Sequence, residues 1–225
     1  MLKKLAFALL PLSLCGMAKA EWSVTLTGVS DYLFNGVSQT DENPALQGSI
    51  DWAADNGFYA GAWGSNVDFG DDTNLEIDAY LGYYQDLSDS LNLDVGIAQY
   101  TYHGAGYSSD GNYPEVYMKW GLGNTAFNVW YSWDYFGTGA GHYILMLNHT
   151  LPINDNFSVL LGVDRSTSMD EDKYQWEDDK SYIHWQATAQ FSQWGWDMSL
   201  GVQGTDLDDT GDTKLLFTVG RTFSF

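Results

Sequence analysis

Cysteine is nearly absent from this chain: Cys15 is the only one. It stands inside Met1–Ala20, where a basic tip (Lys3, Lys4) leads into a short apolar run and a small-residue site, Ala18-Lys19-Ala20. Such a segment reads as a signal peptide cleaved before Glu21, and it is too short to span a membrane as a helix. Leu14 occupies the place before Cys15 where a lipid-modified cysteine needs a small residue. The mature chain, 21–225, therefore has no thiol or disulfide chemistry and lacks the usual staple of small secreted domains. Basic residues are scarce too, nine against thirty acidic ones, for a net charge of −21. Three of the lysines belong to the leader, so the mature chain keeps six basic residues against the same thirty acids, a net of −24. That balance excludes nucleic acid as a partner, because phosphates need a basic face. Long apolar runs are missing beyond residue 20, which excludes a spanning helix and leaves a closed barrel as the only way into a bilayer.

What is present is alternation. Ten tryptophans and a sustained period of two argue against the disorder that high acidity would otherwise suggest. Twelve segments carry an apolar face opposite a polar one. They start with Trp22, Val24 and Leu26, a run that continues through Asp31-Tyr32-Leu33-Phe34. Next come the segments of Ile50, of Phe58, of Leu75 to Tyr83 and of Leu91 to Ile97. Val116 to Trp120, Phe127 to Trp133, Tyr143 to His149 and Phe157 to Val163 continue the pattern. Ile183 to Phe191 and Trp196 to Val202 lead to the last segment, Leu215–Phe225. Connections alternate between short turns (Asn56-Gly57, Asp86 to Ser90, Gly121 to Asn124, Pro152 to Asn156, Gln193 to Gly195) and long acidic or Gly-rich loops, the longest from about Ser166 to Lys180. An even strand count with loops sorted by length is expected of an all-β transmembrane antiparallel barrel of 12 strands, with its N-terminus and short turns in the periplasm. A soluble sandwich has no reason to sort its loops or to keep an apolar face on every strand.

Aromatic residues fall at segment ends, as interfacial girdles require. Two arginines interrupt the apolar faces: Arg165 lies at an outer end within reach of headgroups, and Arg221 is placed to snorkel to the inner interface. The polar face makes Asp31, Asn35, Asp51, Glu76, Asp78, Asp94, Glu115, Asp134, Asp164 and Asp197 the candidate pore lining, against Lys119 and Lys214. A lumen so charged attracts cations. The alternative is that these acids only solvate the wall or bond to Tyr59, Tyr80, Tyr117, His184 and Gln186 in a closed interior.

Enzymatic and metal chemistry find little footing. His142, His149, Asn148 and Ser158 are near in sequence, yet alternation turns His149 to lipid while Asn148 and Ser158 face inward. The four histidines are scattered. Acidic loop runs such as Asp208 to Asp212 offer hard oxygen ligands for calcium or magnesium bridging to lipopolysaccharide but match no spaced calcium loop. No cofactor is expected.

The closing strand resembles that of bacterial outer-membrane barrels, in which a terminal aromatic is part of the assembly signal. That resemblance assigns Phe217, Val219, Phe223 and Phe225 to recognition by the barrel-assembly machinery. Val29-Ser-Asp-Tyr-Leu-Phe-Asn-Gly-Val-Ser-Gln-Thr40, with Pro44 and Gln47-Gly48 following, resembles the opening of the TorF-type porins of proteobacteria. The resemblance implies the outer membrane of a Gram-negative bacterium, lipid and lipopolysaccharide around the barrel, and a pore role. In that family the position of Asn35 is commonly arginine, so the loss of that charge implies a more cation-favouring channel. The expectation is a monomeric, cation-preferring, narrow pore for small solutes; the runner-up is a non-conducting structural or surface-binding barrel.

Overall fold

The computed structural model describes residues 21–225; the expected signal peptide, with Cys15, lies outside the described residues. Twelve strands close into a single antiparallel barrel. We number them β1 (Glu21–Val29), β2 (Ala45–Ala53), β3 (Phe58–Asn66), β4 (Leu75–Asp86), β5 (Leu91–His103), β6 (Tyr113–Leu122), β7 (Thr125–Ser132), β8 (His142–Pro152), β9 (Phe157–Ser168), β10 (Ser181–Gln193), β11 (Trp196–Thr205) and β12 (Lys214–Ser224). Each strand pairs with its neighbours in sequence, and β1 closes the ring on β12, Ser23 opposite Ser224 and Val29 opposite Thr218. A closed ring leaves no edge, so the wall's backbone groups are paired between strands, the condition for crossing lipid without helices.

The alternation read in the sequence is the alternation of the wall. On β4, Leu75, Ile77, Ala79 and Leu81 are exposed while Glu76, Asp78 and Tyr80 are buried inside. The same outward apolar face runs round the ring through Leu26, Ile50, Phe58, Ile97, Val116, Phe127, Leu145, Val163, Ile183, Leu200 and Phe217, all exposed. Short turns at 54–57, 87–90, 123–124, 153–156 and 194–195 gather at one end; the long connections 30–44, 67–74, 104–112, 133–141, 169–180 and 206–213 gather at the other. Arg221 lies at the short-turn end over Trp196 and Phe223, its guanidinium carbon 5.4 and 5.3 Å from the ring centres. Arg165, near the long-loop end, donates to Ser181 Oγ at 2.8 Å.

Two expectations are corrected. The first strand does not run on to Phe34: it ends at Val29, and a small hairpin follows, so the longest connection is 30–44 rather than the one before Lys180. The cause is Asn35-Gly36, whose backbone angles turn the chain back on itself. Asp134 is not on a strand, because β7 stops at Ser132; its Oδ1 instead accepts the Gly139 N–H at 2.7 Å and closes the following loop.

Candidate functional site

The lumen is defined by the first long connection, which folds into it. Leu33 pairs with Ser38 and Phe34 with Val37, leaving Asn35 and Gly36 as a two-residue tip. Their φ values, +47° and +84°, are the left-handed pair that such a tight turn demands. Asp31 ties the base, its Oδ1 accepting Ser38 Oγ at 2.7 Å and Thr40 Oγ1 at 3.0 Å. The tip reaches the wall of β9 to β11. Asn35 Nδ2 donates to Asp164 Oδ1 at 2.9 Å, Asp164 Oδ2 lies 2.6 Å from His184 Nδ1, and His184 Nε2 lies 2.8 Å from Gln203 Oε1. A β-carbon on Gly36 would meet His184 Cδ2 at 2.7 Å and Thr205 Cγ2 at 2.6 Å, so only glycine fits there. Phe34 and Val37 pack on Tyr102, Tyr113, Tyr135, Trp176, Tyr182 and Leu207. The hairpin thus crosses the lumen between opposite parts of the wall.

That aromatic cluster fills the rest of the long-loop half. Loop residues Tyr135, Phe136 and Trp176 pack against strand residues Tyr102, Tyr113 and Tyr182. Tyr102 stacks on Phe136 with ring centres 5.3 Å apart, and Trp176 meets Tyr182 edge-on at 5.1 Å. His142 is fully buried between Tyr135 and Trp176, at 3.9 and 5.1 Å. Ring contacts of this kind add to the area they bury.

Below this tier, β2 to β6 carry tyrosines and carboxylates together. Tyr59 bonds to Asp94 and, at 2.7 Å, to Tyr117; Tyr80 bonds to Asp51. Cross-strand geometry makes the rings lie flat. Tyr59 stands opposite Gly82 and Tyr80 opposite Gly61, and a β-carbon on either glycine would come within 2.4 or 2.5 Å of the facing phenol. Lys119 sits among them, its ammonium 3.7 Å from Asp94 and 4.4 Å from the Tyr117 ring centre. Higher on the same wall are Glu76, Asp78 and Glu115. Tyr102 donates to Glu76 at 3.3 Å and Tyr100 to Glu115 at 2.9 Å, while Glu76 Oε2, Asp78 Oδ1 and Glu115 Oε2 have no side-chain or backbone partner.

The opposite wall in the short-turn half carries hydroxyls and amides. Ser158 donates to Gln190 at 3.1 Å, Ser199 and Thr218 are 2.7 Å apart, and Thr25 and Thr222 2.9 Å. Most of these side chains remain partly exposed. Of the candidate lining, then, Asp51, Glu76, Asp78, Asp94, Glu115 and Asp164 are on the inward wall. Asp31 and Asn35 belong to the hairpin, Asp197 is exposed at the short-turn rim bonded to Ser192 at 2.6 Å, and Asp134 is in a loop. Lys214 pairs with Glu42 at the long-loop mouth. Phe217, Phe223 and Phe225 are exposed along β12 and just beyond it, with Val219 partly exposed. His149 is exposed on the outer face, bonded to Thr125 at 2.8 Å, and Asn148 is buried inside.

The acidic loops are ordered by their own contacts. Glu177 receives the backbone N–H groups of Asp208 at 2.8 Å, Asp209 at 3.1 Å and Thr210 at 3.0 Å, with the Thr210 hydroxyl at 3.1 Å. Its slight burial pushes the carboxyl pKa up, but these donors outweigh that and hold it below the usual range. The turn suspected of metal binding therefore points its amides at an internal carboxylate. Among the described residues no group of His, Cys, Asp and Glu is arranged to hold a metal ion.

A closed twelve-stranded antiparallel barrel with an apolar girth and a polar lumen is the architecture of outer-membrane porins. Solved structures of that class match it end to end: the KdgM porin (10% identity, 90% of this chain and 99% of that one, TM-score 0.59) and the NanC porin (14%, 89% and 98%, 0.57). An outer membrane channel from Pseudomonas putida F1 is also similar (10%, 94% and 97%, 0.53). Within this architecture the chain belongs to the family described as "Bacterial protein of unknown function (Gcw_chp)", whose model matches residues 16–224. No curated protein matches it in sequence.

Proposed function

We propose that this protein is a channel in the outer membrane of a Gram-negative bacterium, passing small solutes by diffusion and preferring cations. The observation that carries it is the charge of the inward wall: Asp51, Glu76, Asp78, Asp94, Glu115 and Asp164 face a lumen whose lysines are paired to carboxylates, Lys119 to Asp94 and Lys214, at the mouth, to Glu42. Such a field concentrates cations and repels anions. The KdgM porin has been solved in complex with disordered oligogalacturonate, a polycarboxylate; a lumen of this sign is unsuited to that cargo. The TorF-type kinship inferred from residues 29–40 fits the same reading, and Asn35, in place of the family's common arginine, leaves Asp164 without a cationic partner on the hairpin. Residues 1–20 act as the signal peptide. Lipid and lipopolysaccharide surround the girth, and β12, with Phe217, Val219, Phe223 and Phe225 outward, is the strand offered to the assembly machinery. No catalytic role is proposed.

The packing of the long-loop half favours a second reading, a barrel that binds at its surface and does not conduct. Planar-bilayer recording under a salt gradient separates the two. Discrete openings with a cation-directed reversal potential are expected; folded protein that stays silent overturns the channel.

A further inference from the structure

Between the hairpin and the loops at the long-loop end lies a cavity of about 450 Å³. Its walls are rings drawn from separate segments, among them Phe34, Phe69, Tyr102, Phe136, Tyr174 and Trp176. The rings brace one another: Phe69 meets Tyr102 edge-on at 5.6 Å and Tyr174 meets Trp176 at 5.0 Å. No lysine or arginine lines it, and its one charged lining residue is a carboxylate, Asp71. A second carboxylate stands behind the wall. Tyr102 donates to Glu76 Oε1, and Glu76, only 2% exposed, keeps Oε2 without a protein partner.

Rings present a negative face, so a site built from them and from carboxylates attracts cations that also carry hydrocarbon. The barrel already handles one such cation in its own wall. Lys119, an ammonium on an alkyl stem, rests over the Tyr117 ring beside Asp94. The cavity repeats that combination of ring and carboxylate on a larger scale with no lysine of its own. We propose that this cavity is a binding vestibule for organic ammonium ions with an apolar body, seated with the body among the rings and the charge toward Asp71 or Glu76. The proposal rests on the channel reading for its role, since a vestibule at the mouth selects what enters, but its chemistry stands on the cavity alone. Neutral sugars also stack on rings; the carboxylates and the lack of any cationic donor favour the ammonium.

The test uses the refolded protein in a non-ionic polyoxyethylene detergent, which carries neither an ammonium nor a sugar, titrated calorimetrically with phenethylammonium chloride, 2-phenylethanol and galactose. Saturable binding of the ammonium, at least tenfold tighter than its neutral isostere, is expected. Asp71→Asn, in an exposed loop and keeping an oxygen to accept the Thr73 N–H, should weaken it severalfold, as should Phe136→Ala. Equal binding of 2-phenylethanol, tighter binding of galactose, or no binding by verified folded barrel overturns the proposal. The same preparation is then recorded in a planar bilayer. Conduction without ammonium binding overturns the vestibule and leaves the channel intact; binding by a silent barrel supports the vestibule and removes the channel.

Discussion

The two halves of the lumen share one wall and one alternation, yet are filled in opposite ways. At the short-turn end the inward residues are small hydroxyls and amides, many of them partly exposed, and buried tyrosines laid flat over glycine. At the long-loop end the inward residues of the same strands are buried: Glu115 is 1% exposed, and His142 and Ser168 are 0% exposed. The strands do not make that difference; the connections do. Turns of the short kind have nothing to fold inward, whereas the long loops bring Phe34, Val37, Phe136 and Trp176 over the top of the ring. On the proposed channel reading, resistance to passage falls to the loop contacts and selectivity to the wall beneath them.

The most damaging way to break the contrast is to remove what the hairpin grips. Asp164→Ala strands the buried His184 and the Asn35 amide; each buried donor left unsatisfied costs about 1–3 kcal/mol. Urea unfolding in lipid vesicles should show that loss, and single-channel conductance should rise as the hairpin leaves the wall. Gly36→Val is the steric counterpart: the added carbon collides with His184 and Thr205 in a backbone conformation valine avoids. It should raise conductance with a smaller effect on barrel stability, because no strand pairing is lost.

The opposite manipulation makes the short-turn half more like its neighbour. Gly82→Ala forces the Tyr59 ring off the wall and into the lumen, an overpacking that costs about 1–3 kcal/mol; conductance should fall. Neutralising Asp51 and Asp94 together should move the reversal potential toward zero without changing the unfolding midpoint as much as Asp164→Ala does. The smallest effect belongs to the loop clamp. A carboxyl held below its usual pKa contributes its contacts above the ordinary carboxylate range and loses them as pH falls through the depressed value. Hydrogen-exchange protection at residues 206–213, taken relative to the intrinsic rate at each pH, should therefore fall in acid, and Glu177→Gln should show reduced protection already at neutral pH.

The barrel was legible in the sequence because lipid outside and polar groups inside force a period of two on every strand, and β4 or β9 can be read without their partners. Inward folding of a loop leaves no such period. Asn35-Gly36 carried the same turn signal as Asn56-Gly57, yet the apolar Leu33 and Phe34 extended the preceding alternation and masked it. Asp134 was misplaced for a like reason, since Trp133 prolonged the pattern of β7 past its last paired residue. A usable signal was present: Phe34, Phe69, Tyr107, Phe136, Tyr174 and Trp176 are costly in loops whose only task is to stay solvated, so rings there point to packing. Which rings meet, and that Asp164 joins His184, depends on strands far apart in the chain.

That distance has a consequence for chronology. Asn35 and Asp164 are separated by 129 positions, and His184 and Gln203 come later still. The hairpin lies near the start of the chain, but the strands its tip fastens to lie near the end. Until β9 to β11 are in place its tip has no polar partner, and contacts of such separation form late because the intervening chain must first be ordered. A barrel that lacks β9 to β11 is thus an unobstructed one, and the seat of the hairpin tip comes only with those strands.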